Sequence, residues 1–252
     1  MNTTLLPIDD AVAQAYDAFK HHQAPGVPLD VCGCCVSQDI ERDLRTLPLK
    51  QIPAAHLYAY NCSAKRPEQP VGEVAYFLPR MFELMASEEG LIHHSTELNL
   101  DRLGRCPKES WNQGEWAAIT DFSRSFFHRV ITDRDPGEQP LSVLLMFHIA
   151  GVDIAPLLDQ WLTTSTPVAT ANFVIDTYSN FWEGGDYANP FAADHPEFRQ
   201  LIREWIFHPE TRARFLDKLR ATDFLAMSRD ASWGSSMPFP LMVEAALENL
   251  AS

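Results

Sequence analysis

The stretch from Val74 to Leu103, VAYFLPRMFELMASEEGLIHHSTELNLDRL, constrains the fold most, because it carries two apolar helical patterns on either side of one short polar loop. Phe77, Leu78, Met81, Phe82, Leu84 and Met85 recur at three- and four-residue steps and so share one broad helix face. Pro79 lies inside that run. It has no amide donor and crowds the carbonyl four residues back, which predicts a kink. Beyond the loop, Ser95 stands where an N-cap is expected, and Leu98, Leu100 and Leu103 precede Gly104, which ends the pattern. The reading is a helix hairpin. Its two faces cannot both be buried by each other, so further helices must cover them.

The rest of the chain supplies those helices. Val12, Ala15, Tyr16 and Phe19 mark one over Asp10 to His22, and Ser37 caps a second whose apolar side is Ile40, Leu44 and Leu47. Ala54 to Ala64 is a third. Trp116, Ile119, Phe122, Phe126 and Val130 form the aromatic stripe of a long helix from Gly114 to Thr132. Leu141 to Ile149, Val152 to Leu162 and Pro167 to Trp182 then follow with short links, with Leu157, Leu158, Trp161, Phe173, Val174 and Tyr178 facing inward. Helices start near Pro196 and Pro209, and Leu241 to Leu250 is the last. Residues 183–194 and 228–240 read as loops, and strand alternation is absent. The expected fold is all-α, with antiparallel helix pairs packed as a helical bundle or short HEAT-like stack. One domain is expected over residues 1–252, with a soft division near 133–140.

A chain of 252 residues with 46% hydrophobic content can bury a core without disulfides. No basic segment followed by an apolar core marks a secretory signal, so a cytoplasmic protein is expected. The longest apolar run, Leu141 to Ala150, is about half the length of a membrane span and contains His148, so no membrane segment is expected. The net charge of −14 repels a nucleic-acid backbone and suits a basic protein partner.

Cys32, Cys34 and Cys35 are the sharpest local anomaly, because C-x-C and C-x-x-C spacings let thiolates converge on one zinc ion. Cys62, Cys106, His93 or His94 would have to complete such a site, since no second C-x-x-C follows. The alternatives are reduced thiols packed as small apolar groups, or a redox-labile cluster. His94, Glu97 and Asp101 would share one face of a helix starting near Ser95, as metal ligands or as a solvated, capped helix start. His148 reads as a core histidine. GxSxG, Walker, GxGxxG and HExxH motifs are all missing, which weighs against an enzyme, and no catalytic residue is expected.

Through VCGCC, YFLPRMFELMA and TELNLDRLG the chain resembles an uncharacterised family of bacterial proteins. The resemblance implies a bacterial origin and a helical fold, and it transfers no activity. The first functional expectation is therefore a non-enzymatic protein-interaction module, in one version an immunity-type or antitoxin-like inhibitor whose acidic face covers a basic partner. The second is a zinc-binding metalloprotein or metal-dependent enzyme built on Cys32 to Cys35. The third is a small-molecule binder whose mouth is formed by Tyr187, Phe191 and Trp233.

Overall fold

The computed structural model describes residues 5–252 apart from positions 27, 90, 92–94, 183–186, 188, 230–232 and 234–236. His93 and His94 thus lie outside the described residues. Thirteen α-helices and no strand occur among the described residues, so the chain is all-α. None of these helices is long and apolar enough to cross a membrane. The chain divides into two compact units, Met1–Phe126 with Met146–Asp153, and Phe127–Leu145 with Ile154–Ser252.

In the first unit α1 (Ile8–Phe19) buries Ala11, Val12, Ala15 and Phe19, while α2 (Gln38–Thr46) packs on α3 (Ala54–Cys62). Ser37 caps α2 by accepting from the Ile40 amide at 3.3 Å. The expected apolar run is α4 (Val71–Ala86), which packs on α1 and is continuous through a buried Pro79. Its carboxyl end closes on Glu88, a non-glycine residue at φ +62°, with Glu88 N–H donating to Met85 O at 3.1 Å and Glu89 N–H to Leu84 O at 2.9 Å. That pair of bonds is the Schellman arrangement, usually built on glycine.

The second half of the expected hairpin is not one helix. It is a 3-10 turn at Thr96–Leu98 followed by the single turn α5 (Asp101–Gly104). Ser95 does not cap it; its hydroxyl donates to Glu97 Oε2 at 2.8 Å. The leucine spacing is overridden by buried polar groups, Glu97, Asn99, Asp101 and Arg102, several of which bond distant parts of the chain. A carbonyl satisfied by another element, as Asn99 O is by the Asn61 amide at 2.9 Å, does not need a helical partner.

The long aromatic helix α6 (Gln113–Thr132) starts with a reciprocal cap. Asn112 N–H donates to Glu115 Oε2 at 2.8 Å and Glu115 N–H donates to Asn112 Oδ1 at 3.0 Å. Phe122 stacks on Phe82 with ring centroids 3.9 Å apart. Helix α7 (Pro140–Ile149) ends in a second Schellman arrangement, on Gly151 at φ +82°. A Cβ at Gly104 would collide with the Ile149 carbonyl oxygen, so the turn of α5 and the end of α7 meet there backbone to backbone.

The second unit is arranged around α9 (Pro167–Thr177), capped by Thr166, which packs on α11 (Pro209–Arg220), α12 (Thr222–Met227) and α13 (Phe239–Ala251). Trp161 on α8 (Ala155–Thr163) lies within 6 Å, ring to ring, of Phe127, Phe173 and Trp205. Trp205 belongs to α10 (Pro196–Phe207), which packs on α11. The expected helix to Trp182 widens into a π turn over Tyr178–Trp182, where the Asn180 amide reaches back to Asp176 O at 2.9 Å and to Asp176 Oδ1 at 2.7 Å. One turn earlier, Asn172 donates to Ile131 O at 3.0 Å and Asp133 O at 2.8 Å, and Asp176 Oδ2 accepts from Leu141 N–H at 2.6 Å. Two residues of α9 thereby satisfy the carboxyl end of α6 and the amino end of α7, fixing both edges of residues 133–139.

Candidate metal centre

The cysteine loop is set by what lies on either side of it. Leu29, Asp30 and Val36 are buried, while Gly33, Cys34 and Cys35 are exposed. The intervening turn closes on the Cys32 carbonyl, which accepts from the Cys35 amide at 2.9 Å and the Val36 amide at 3.0 Å. Cys32 N–H donates to Ser63 Oγ at 2.6 Å, pinning the first thiol to the end of α3. Cys32 and Cys34 are joined as a disulfide, and Cys35 Sγ lies 3.6 Å from Cys32 Sγ and 3.7 Å from Cys34 Sγ.

Beneath the loop is a connected set of buried polar groups. Asp30 N–H donates to both Glu73 oxygens at 3.1 and 3.3 Å, and the Asp30 carboxylate accepts from Gln69 Nε2 at 2.7 Å and pairs with Arg66 Nε at 2.8 Å. Arg102, only 1% exposed, donates to Tyr60 O at 2.7 Å, to Asp30 O at 3.2 Å and to Gln69 Oε1, and its guanidinium stacks over the Tyr60 ring at 3.9 Å. Tyr60 donates in turn to Glu73 Oε1 at 2.8 Å. Burial raises the Glu73 carboxyl, while the Asp30 amide, the Tyr60 hydroxyl and the nearby Arg102 pull it back. Such a set fixes the loop's backbone: taking one charged member from a buried pair costs about 3–5 kcal/mol, because the other is left uncompensated.

The sulfur atoms of Cys32, Cys34 and Cys35 lie within 4.8 Å of one another, as a common metal ion requires. The other two cysteines stand outside this group. Cys62 is exposed at the end of α3, beside Tyr58. Cys106 is buried, donates its thiol to Arg102 O at 3.4 Å and is pushed up to about 12 by burial, so it is a neutral thiol at ordinary pH. Glu97 and Asp101 are both buried. Asp101 already pairs with Lys65 at 2.6 Å and Arg105 at 3.6 Å, which leaves its carboxylate compensated.

No protein-family model, curated protein or solved structure matches the chain.

In the second unit a cavity of about 640 Å³ is lined by Asp133, Arg134, Asp135, Glu138, Asn172, Asp176 and Trp233. Of the three aromatics expected at a ligand mouth, only Trp233 is there, with the Arg134 guanidinium 5.1 Å above its ring. Tyr187 is buried instead against Phe181 and Phe198, and Phe191 is half-buried in a 3-10 turn. Arg102 and Glu73, both buried, carry no motif in the sequence. Charged residues inside apolar runs do not separate the two cases: Arg80 and Glu83 in LPRMFEL stay partly exposed, whereas Arg102 in LDRLG is 1% exposed.

Proposed function

We propose that this protein binds a soft or borderline divalent metal ion, zinc(II) first, through the reduced thiolates of Cys32, Cys34 and Cys35. The observation that carries the reading is spacing. Cys35 Sγ stands 3.6 and 3.7 Å from its two neighbours. Thiolates held about 2.3 Å from one tetrahedral ion lie roughly 3.8 Å apart. Reduction of the Cys32–Cys34 bond frees the remaining pair to open to the same spacing. Because Cys34 and Cys35 are exposed, the fourth position faces outward, to water or to a ligand from outside the chain.

Metal loading and disulfide formation then compete for the same two sulfur atoms. Closing the disulfide removes two electrons and two protons from Cys32 and Cys34 and needs an oxidant such as oxidised glutathione. In a reducing compartment the three thiols are available together.

The test is cobalt(II) and zinc(II) titration of untagged protein kept reduced, purified without chelator. One equivalent should bind, cobalt(II) should show a thiolate charge-transfer band, and the metal should shield three thiols from alkylation while Cys62 stays reactive. Cys32→Ser and Cys35→Ser should abolish the band, and Cys62→Ser should leave it intact. A reduced protein with no such band and freely titrating thiols would overturn the proposal. That result would favour the basic protein partner, a reading supported by the net charge of −14.

A further inference from the structure

A second set of ligand atoms lies in the first unit, away from every motif in the sequence. His21 and His22 follow the end of α1, and their Nε2 atoms lie 3.2 and 2.5 Å from the same oxygen, Glu115 Oε1. The three ligand atoms fall within 4.8 Å of one another. Nitrogen and oxygen ligands about 2.0–2.1 Å from a tetrahedral ion sit roughly 3.3 Å apart, so only small ring shifts separate this triangle from a coordination face.

The surroundings hold Glu115 and His22 in place, while His21 is exposed and reaches the pair from the solvent side. Glu115 is 2% exposed, and its other oxygen is fixed by the Asn112 amide at 2.8 Å. The His22 ring packs 4.2 Å from the His21 ring and 5.9 Å from Phe19, which itself meets Trp111 edge-on at 6.1 Å. A carboxylate oriented by a bond to its second oxygen, and an imidazole packed so that its ring keeps one orientation, are what tune and position first-row metal ligands. In the metal-free protein both imidazoles must present an N–H to a single oxygen; a cation there would instead use both nitrogen lone pairs and the carboxylate charge together.

We infer that His21, His22 and Glu115 form a binding site for a first-row divalent cation of zinc(II) or nickel(II) type, with remaining positions open to water. It uses nitrogen and oxygen ligands only, so it is independent of the cysteine loop and stands or falls separately from it.

The probe is zinc(II) or nickel(II) alone, added to untagged protein carrying Cys32→Ser, Cys34→Ser and Cys35→Ser. One equivalent should bind and raise the melting temperature, as any ligand selective for the folded state must. Adding His21→Gln and His22→Gln should weaken binding by about 100-fold or more, taking the loss of whole ligands to exceed the 10–100-fold typical of second-shell changes, with the metal-free melting temperature little changed. In a parallel experiment without any substitution, the cysteines are alkylated and the protein is treated with diethyl pyrocarbonate. Zinc(II) should then protect His21 and His22 while His208, exposed at the start of α11, still reacts. No uptake by the serine variant, unchanged uptake without the two imidazoles, or equal modification with and without metal would each overturn the inference.

Discussion

Asp176 joins two jobs in one carboxyl group: it accepts from Leu141 at the start of α7 and from Asn180 within its own π turn. Burial pushes it from 3.8 up to about 7, against the pull of those two donors. A carboxyl that holds its proton more tightly when folded adds stability fully present below pH 3.8 and lost as pH rises through about 7. Asp176→Asn cannot titrate. The unfolding free energy of the parent relative to this variant should therefore fall between about pH 4 and 7, as measured by urea denaturation. Parallel curves for the two proteins would show that Asp176 is not the titrating group. Neither Asp176 nor the pair Asn172 and Asp176 was legible in the sequence, because their meaning lies in partners 35 and more residues away. The same holds for Glu115, whose nearer histidine, His22, stands 93 residues upstream. Cys32, Cys34 and Cys35 were legible for the opposite reason: three thiols within four residues lie close together through chain connectivity.

Among the elements, helices with a sustained 3.6-residue period were readable to within a few residues, as α6 and α10 show. Ser95 to Leu103 departs from its leucine spacing: Leu100 and Leu103 do face the core, but Asp101 and Arg102 are drawn inward by partners the period cannot reveal. The end of α4 holds a different kind of information. Glu88 is exposed yet held at φ +62°, a conformation that costs a side chain about 1–2 kcal/mol and glycine almost nothing. Against the extra freedom glycine gains when unfolded, Glu88→Gly should raise stability by roughly 0.5–1 kcal/mol, and Glu88→Ala should not. Equal stability of the two variants would place the strain elsewhere.

For the molecule as a whole, the chain passes from one unit to the other three times, and both α6 and α7 are shared between units. The sequence offered residues 133–140 as one soft division, but unit membership does not change at a single point, and composition carries no mark of an exchange made inside two regular helices. A fragment ending at Phe126 lacks residues 146–153 of its own unit, whereas one ending at Asp153 contains all of them. The longer fragment should unfold in urea with a steeper, more cooperative transition than the shorter; equal slopes would show that the first unit does not need its distal segment.

Gly104, which admits the Ile149 carbonyl where any side chain would exclude it, also sets a clock. During synthesis the glycine is made 45 residues before its partner, an interval of roughly 2–9 s at about 5–20 residues per second. Until Ile149 is made the α5 turn lacks that backbone partner, so the close packing at Gly104 can form only after residues 146–153 have joined the first unit.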